Sequence, residues 1–153
     1  MLKPRDPPYR GSQVAPERTK SEIEKMLFTA GAEAVQITST ANGDVEVQFI
    51  LETEVQGIRK KFAVRLRTPE IFRDRNRGGR IHERDRTAEM RMLHWYLKSL
   101  LEAAQFGLMA AEEIFFSHIL FKLSDGSTAT ASEMAAQALI GGSPAMLPGV
   151  NQE

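Results

Sequence analysis

The chain has 153 residues, of which 42% are hydrophobic and 26% charged, a composition typical of one folded domain with a substantial core. It contains no cysteine, which excludes disulfides, zinc–thiolate sites and cysteine nucleophiles, and its apolar runs are too short to span a membrane. The net charge is zero but unevenly spread: residues 1–58 carry −3, residues 59–98 carry +8 and residues 99–153 carry −5. We therefore expect a soluble, cytoplasmic protein with a basic middle segment. That segment either binds an acidic partner or packs beside the acidic ends of the chain.

The two ends of the chain differ from its middle. Residues 1–18 are polar and rich in proline, so we expect a flexible N-terminal arm rather than a signal peptide. Residues 19–142 then form a single domain, and residues 143–153 a C-terminal tail. Within the domain, Thr19 and Glu22 have the spacing of a capping box, which predicts a first helix from Lys20 to about Ala30.

Alternating side chains predict three antiparallel strands. Val35 and Ile37 begin the first, and Asn42-Gly43 is a strong signal for a hairpin turn into the second. The inward side chains of the second and third strands are apolar: Val45, Val47, Phe49 and Leu51 in one, Phe62, Val64 and Leu66 in the other.

A two-residue turn at Gln56-Gly57 fixes the register of these two strands. On one face Leu51 is then opposite Phe62, and on the other face the acidic or amide side chains are opposite basic ones. The polar pairs are Glu54 with Arg59, Glu52 with Lys61, Gln48 with Arg65, and Glu46 with Arg67. Most of the positive charge on the third strand therefore has a structural explanation.

A long polar connection, Thr68–Asp85, is predicted next, and loops of this length are usually functional or disordered. A long helix follows from Thr87 to Phe106, because apolar residues recur there at helical spacing. Its core stripe is Met90, Leu93, Leu97, Leu100, Leu101 and Ala104. Met92, Trp95 and Tyr96 lie on a neighbouring face, which indicates that the helix is covered on two sides.

The last third of the chain contains shorter elements. We predict a short helix over Met109–Phe116 and a fourth strand over Ile119–Leu123. Thr130 and Glu133 form a second capping box, which predicts a helix to about Ile140. Together these elements predict an α+β domain: an antiparallel sheet of three to four strands packed against a long helix, with shorter N- and C-terminal helices.

Several short motifs are similar to those in a family of uncharacterised small proteins from bacteriophages and integrated mobile elements. In the second half they are Trp95, Leu97-Lys98, Leu101-Glu102-Ala103, Gly107, Glu112-Glu113, Phe116, Leu123, Asp125-Gly126, Thr128 and Met146-Leu147-Pro148-Gly149. In the first half they are Lys20-Ser21-Glu22-Ile23-Glu24, Gly31-Ala32 and Arg67-Thr68-Pro69. The resemblance implies a phage or mobile-element origin and supplies no catalytic residues.

No catalytic, cofactor or metal site is predicted. His82, His94 and His118 lack the spacing of zinc ligands, and no phosphate-binding glycine loop or nucleophile elbow occurs. Glu112-Glu113 is best interpreted as a solvated helix face, since neighbouring residues point about 100° apart on a helix. The arginines near Glu83, Asp85 and Glu89 indicate local ion pairs rather than a magnesium-dependent nuclease.

The arginine-rich loop, residues 68–86, is the main candidate for a binding site. Guanidinium groups suit phosphates and stack on flat rings, so the loop indicates nucleic-acid binding. The candidate residues are Arg73, Arg75, Arg77, Arg80, Arg84 and Arg86. A solvated loop, or one docked on the acidic C-terminal third, is the structural alternative, and a protein or nucleotide partner is another. Trp95 and Tyr96 indicate either packing, in the core or a homodimer, or stacking on unpaired bases.

The sequence thus favours a non-enzymatic phage accessory protein that binds nucleic acid, either DNA or RNA, as a monomer or a homodimer. Within the basic middle segment, the positive charge without a predicted partner is confined to residues 73–80, which contain four arginines and one acidic residue, Asp74. An inhibitor or adaptor that binds a host protein, for example in anti-defence, is the alternative. A small catalytic domain is a third interpretation, which would require a cleft with convergent polar groups.

Overall fold

The computed structural model describes residues 12–76 and 80–141, with residues 2, 5 and 9, and gives residues 74–76 and 80–82 by backbone alone. Its helices are α1 (Pro16–Thr29), α2 (Arg86–Gln105), α3 (Ala111–Ile114) and α4 (Ala131–Gly141), with a 3₁₀ turn at Phe116–His118. Its strands are β1 (Ala34–Ser39), β2 (Val45–Val55), β3 (Ile58–Arg67), β4 (Phe72–Asn76), β5 (Arg80–Arg84), β6 (Leu120–Lys122) and β7 (Thr128–Thr130). The predicted α+β class is confirmed. The predicted tail and eight of the eighteen residues of the predicted N-terminal arm lie outside the described residues.

Strands β1, β2 and β3 form one antiparallel sheet in chain order. The predicted register of β2 and β3 is confirmed, with Leu51 opposite Phe62 and Glu46 opposite Arg67. Gln56 and Gly57 have φ angles of 51° and 77°, as a two-residue turn with two left-handed positions requires. The Asn42-Gly43 turn joins β1 to β2, as predicted.

The core lies between one face of this sheet and the helices α1 and α2. The alternate residues of β2 and β3 that face the helices are buried, and so is one stripe of α2. Phe115 completes the core, with its ring 5.5 Å from that of Phe49 in an edge-to-face contact. The most buried apolar members are Ile23, Leu27, Val47, Phe49, Val64, Met90, Leu97 and Phe115.

Two predictions at the start and end of the domain need correction. Helix α1 begins at Pro16 rather than Lys20, because the fixed φ of proline suits the first helical position. Thr19 is therefore a fully buried residue within the helix and not its cap. The predicted fourth strand is β6, which forms a hairpin with β7 and reaches β3 through a single bridge between Val64 and Ile119.

Four of the five basic side chains of β3 pair with carboxylates, which are not always the ones directly opposite. Arg67 binds Glu46 across the strands at 2.8 Å, as predicted. Arg59 lies 3.7 Å from the diagonal Glu52, and Lys61 binds Glu33, just before β1, at 2.6 Å. Arg65 donates two hydrogen bonds to Glu133 at the start of α4. A long basic side chain can therefore pair with any of several carboxylates near it, and the residue directly opposite does not always become its partner.

The second predicted capping box is confirmed at the start of α4. The backbone N–H of Thr130 donates to Glu133 Oε2 at 2.8 Å, and the N–H of Glu133 donates to Thr130 Oγ1 at 3.3 Å. Beyond this cap, α4 packs beside the 3₁₀ turn and β7, and none of its residues is buried. Among the described helices, none is both long enough and apolar enough to cross a bilayer.

Candidate nucleic-acid interface

The segment predicted as a long connection contains a β-hairpin. Strands β4 and β5 pair antiparallel from Phe72 opposite Arg84 to Asn76 opposite Arg80, and they form a two-stranded sheet of their own. The predicted long polar loop did not include these two strands, because they carry few apolar residues. Hydrophobic periodicity, the main signal for strands, is therefore missing from this segment.

Backbone hydrogen bonds fix the base of this hairpin against the start of α2. The N–H of Asp85 donates to the carbonyl of Ile71 at 2.6 Å, and the N–H of Ile71 donates to Glu89 Oε1 at 3.1 Å. Asp85 Oδ1 accepts the N–H of Ala88 at 3.0 Å, so this buried carboxylate caps α2. The hairpin and the helix therefore share one anchoring point.

Arg84 is the central side chain of that anchor. Its Nε and Nη2 donate to the two oxygens of Glu89 at 2.7 and 3.0 Å, and its Nη1 lies 2.6 Å from Asp44 Oδ1. Glu89 is only 1% exposed, and the geometry is the bidentate form that guanidinium groups favour. The hydrogen bond with Glu89 raises the pKa of Arg84 above its ordinary value despite desolvation. Arg84 therefore remains charged and committed to these carboxylates.

Arg86 occupies the space between the anchor and the β1–β2 turn. Its Nη2 donates to the carbonyl of Asn42, and its Nη1 lies 3.5 Å from Glu89 Oε2. A Cβ placed on Gly43 would overlap the Arg86 guanidinium, so this turn and Arg86 pack closely. Like Arg84, Arg86 connects elements of the fold.

The predicted local ion pairs are confirmed at Glu89, which binds Arg84 and Arg86, whereas the arginine that binds Glu83 lies ten residues away in sequence. Arg73 binds Glu83 across the β4–β5 hairpin at 3.0 Å, and both side chains are at least partly exposed. Asp85 forms the helix cap described above. Asp44 was missed as a partner of Arg84 because it lies far away in sequence, and no local signal connects the two.

The remaining candidate arginines belong to the outer half of the hairpin. Arg75 is opposite Ile81, and Arg80 is opposite Asn76 on the last described rung. Arg77 lies outside the described residues. The five predicted arginines within the described residues therefore divide into Arg84 and Arg86 at the base, Arg73 on an inner rung, and Arg75 and Arg80 further out.

Trp95 and Tyr96 lie on α2, away from the core. Trp95 is 52% exposed and Tyr96 38%, and with Arg67, Pro69, Met92 and Leu93 they line a cavity of about 310 Å³. The Tyr96 hydroxyl lies 2.9 Å from His118 Nε2. Of the two predicted interpretations for this pair, packing in the core is wrong, because both rings remain exposed. Stacking on bases and packing in a dimer stay predictions.

The other predicted polar groups have structural partners. Glu112 accepts a hydrogen bond from Thr53 at 2.5 Å, and Glu113 accepts one from the N–H of Ala110 at 3.1 Å. Burial lowers the pKa of His118, and burial together with the nearby Arg91 lowers that of His94. Over the described ranges, no three His, Cys, Asp or Glu side chains are grouped as metal ligands would be.

Comparison with protein-family models, curated proteins and solved structures finds no match to this chain. The similarity to phage and mobile-element proteins therefore stays a prediction, and the function must be argued from the site alone.

Proposed function

We propose that this is a non-enzymatic accessory protein, encoded by a phage or mobile element and acting in the bacterial cytoplasm, that binds nucleic acid. The binding element is the outer half of the β4–β5 hairpin, and Arg75, Arg77 and Arg80 contact phosphates. The observation that carries the proposal is the division of the arginines. Arg84 and Arg86 at the base of the hairpin pair with the buried Glu89, whereas Arg75 and Arg80 lie on its outer rungs and Arg77 lies between them in the sequence.

The shape of the element supports this proposal. A two-stranded antiparallel ribbon fits the major groove of B-DNA, where arginines on the strands reach both phosphates and bases. The hairpin pairs only within itself among the described strands, so its two edges are not used by the main sheet. Its base is fixed by the Arg84–Glu89 pair, which lowers the entropic cost of presenting the arginines.

The test is to remove the outer arginines together, in the triple variant Arg75→Ala, Arg77→Ala and Arg80→Ala. We expect binding of labelled oligonucleotides to weaken at least tenfold at low salt, because three phosphate contacts are lost. The slope of log K against log salt should fall by about 0.9 per lost contact with duplex DNA and about 0.7 with single strands. Fluorescence anisotropy at four salt concentrations would measure both quantities, with DNA and RNA and with single and double strands.

The matched control removes three exposed lysines elsewhere, Lys25→Ala, Lys60→Ala and Lys122→Ala, which changes the net charge by the same amount. If charge alone matters, the two variants will weaken binding equally, and the hairpin loses its special role. If the unmodified protein shows no salt-sensitive binding to any of these oligonucleotides, the proposal fails entirely.

A second candidate function, binding to a host protein as an inhibitor or adaptor, is favoured by a different surface. The apolar side chains Phe116 and Phe121 are exposed beside a largely apolar cavity of about 550 Å³. Met134, Leu139 and Ile140 of α4 are exposed as well. Large exposed apolar patches usually mark interaction sites.

The second candidate predicts a stoichiometric partner in host lysate whose capture survives nuclease treatment. Phe116→Ser combined with Phe121→Ser should abolish that capture, while the triple arginine variant should leave it unchanged. Capture that nuclease or the triple arginine variant abolishes, and that the phenylalanine variant retains, would instead support nucleic-acid binding by the hairpin.

A further inference from the structure

Helix α2 carries a second apolar stripe on the side that faces away from the core. The core side, from Met90 to Leu101, is buried. On the opposite side lie five uncharged residues: Met92, Trp95, Ser99, Ala103 and Phe106. Trp95 is 52% exposed, and Phe106, which caps the helix, is 81% exposed. A surface helix normally presents charge there, so this stripe needs an explanation.

The spacing within the stripe is symmetric about Ser99. Successive members are three, four, four and three residues apart, so the pattern is the same in both directions along the helix. Two copies of α2 packed antiparallel with Ser99 at the two-fold axis would bring Met92 opposite Phe106 and Trp95 opposite Ala103. Each large side chain then meets an apolar partner, and the largest meets a small one.

The centre of such a helix pair, at Ser99, can be buried with a small desolvation penalty. The Ser99 hydroxyl already donates to the backbone carbonyl of Trp95 at 2.7 Å, so burying it leaves no unsatisfied donor. Ser99 and Ala103 are small enough for two helices to approach to about 8–10 Å, the usual interaxial distance. Trp95 lies beside this centre, where binding energy in interfaces is usually concentrated.

The charges beside the stripe are complementary under the same two-fold symmetry. Lys98 and Glu102 lie on one flank of the stripe, 3.8 Å apart. In the antiparallel pair, Lys98 of one copy lies only two residue positions, about 3 Å along the axis, from Glu102 of the other. Along the seam the four charges follow in the order Glu102, Lys98, Lys98, Glu102, so the two lysine–glutamate pairs between the copies outnumber the one lysine–lysine pair at the same axial spacing. Flanking charges of this kind select partners in coiled coils.

From this pattern we propose that the outer face of α2 binds a second copy of this chain, in an antiparallel helix pair centred on Ser99. A homodimer of this kind covers Trp95 and Phe106. Leu108 and Met109, which follow α2 and are 75% and 51% exposed, extend the same patch beyond the helix. The pairing is independent of nucleic-acid binding, which involves a different element.

Cysteine cross-linking tests the geometry directly, because the chain has no cysteine of its own. Ser99→Cys should form a disulfide-linked dimer under mild oxidation. Met92→Cys and Phe106→Cys should each stay largely monomeric alone but cross-link when mixed. The control Lys122→Cys, on β6, should remain monomeric. Self-linking of Met92→Cys and of Phe106→Cys would indicate a parallel pair and overturn the proposal.

A second measurement does not depend on oxidation. Analytical ultracentrifugation at about 100 μM should give twice the chain mass of 17.1 kDa for the unmodified protein. Ala103→Glu should return it to a monomer, whereas Ala135→Glu on the exposed helix α4 should not. Emission from Trp95, the one tryptophan of the chain, should shift to the red in the monomeric variant. The proposal would be overturned if the unmodified protein were monomeric, or if Ala103→Glu left the dimer intact. Circular dichroism would verify that the Ala103→Glu variant is folded.

Discussion

The two arginine-bearing hairpins of this protein, β2–β3 and β4–β5, differ in what holds them in place. The β2–β3 hairpin has ten paired positions and a mostly apolar face, which packs against α1 and α2. The β4–β5 hairpin has five paired positions, lies outside the main sheet, and is anchored at its base by Arg84 and two carboxylates. One hairpin is stabilised mainly by the hydrophobic effect, and the other by ion pairs at one end.

The difference shows that a count of arginines says little about function. On β3, Arg59, Lys61, Arg65 and Arg67 all have a carboxylate within reach, so their charge is used by the fold. At the base of the second hairpin Arg84 and Arg86 are used in the same way. The arginines of β3 and those at the base of the second hairpin are therefore poor candidates for a binding surface.

Among the variants that test this difference between the hairpins, Arg84→Ala is expected to lower the free energy of unfolding most. The variant leaves Glu89, which is 1% exposed, buried without its main partner, and we expect a loss of about 3 kcal/mol in the free energy of unfolding. Urea denaturation measures this loss, and hydrogen exchange should show β4 and β5 opening first. The control Arg73→Ala removes an exposed pair with Glu83 and should cost under about 1 kcal/mol. Equal losses in the two variants would mean that the buried pair does not anchor the hairpin.

An intermediate effect is expected at Gly43, where the β1–β2 turn meets the base of the second hairpin. Gly43→Ala combines strain at a φ of 81° with displacement of the Arg86 guanidinium from the Asn42 carbonyl, for a total of about 2 kcal/mol. Gly57→Ala is the matched control, because its φ is 77° but the space around it is open, and we expect about 1 kcal/mol. Thermal unfolding of both variants isolates the contribution of the Arg86 contact. If they lose the same stability, that contact contributes nothing.

The smallest effect concerns the Glu46–Arg67 pair of the first hairpin. Burial raises the pKa of Glu46, but hydrogen bonds from Arg67 and Gln48 outweigh it, so the pKa lies below its ordinary value of 4.5. A depressed pKa gives stability that is present above about pH 4.5 and is lost as the pH falls through the pKa of the folded state. We expect Glu46→Gln to reduce this pH dependence by under about 1 kcal/mol in urea titrations between pH 5 and 3. An unchanged pH profile would mean that Glu46 does not contribute to the pH dependence of stability.

Much of the first hairpin and of α2 could be predicted because the signals are local. Period-two alternation and a glycine-containing turn fix the register of β2 and β3, since a shift by one residue would reverse both faces. The helical spacing of Met90, Leu93 and Leu97 likewise specifies the buried side of α2. The ion pairs of Glu89 with Arg84 and Arg86 followed from close spacing in the sequence. The strands β4 and β5 could not be found in the same way, because their side chains are mostly polar.

The sequence by itself thus determined the fold class, the register of the main hairpin, the long helix and the narrow region of unexplained charge. Only the tertiary structure decided which carboxylate each arginine binds: Asp44 meets Arg84 at the base of the second hairpin, and Glu133 meets Arg65 across 68 residues. It also decided that Trp95 and Phe106 stay exposed on α2. Alternation and turn geometry act between neighbours in the chain. The partner of a long charged side chain and the exposure of a helix face depend on which distant segments the completed fold brings near.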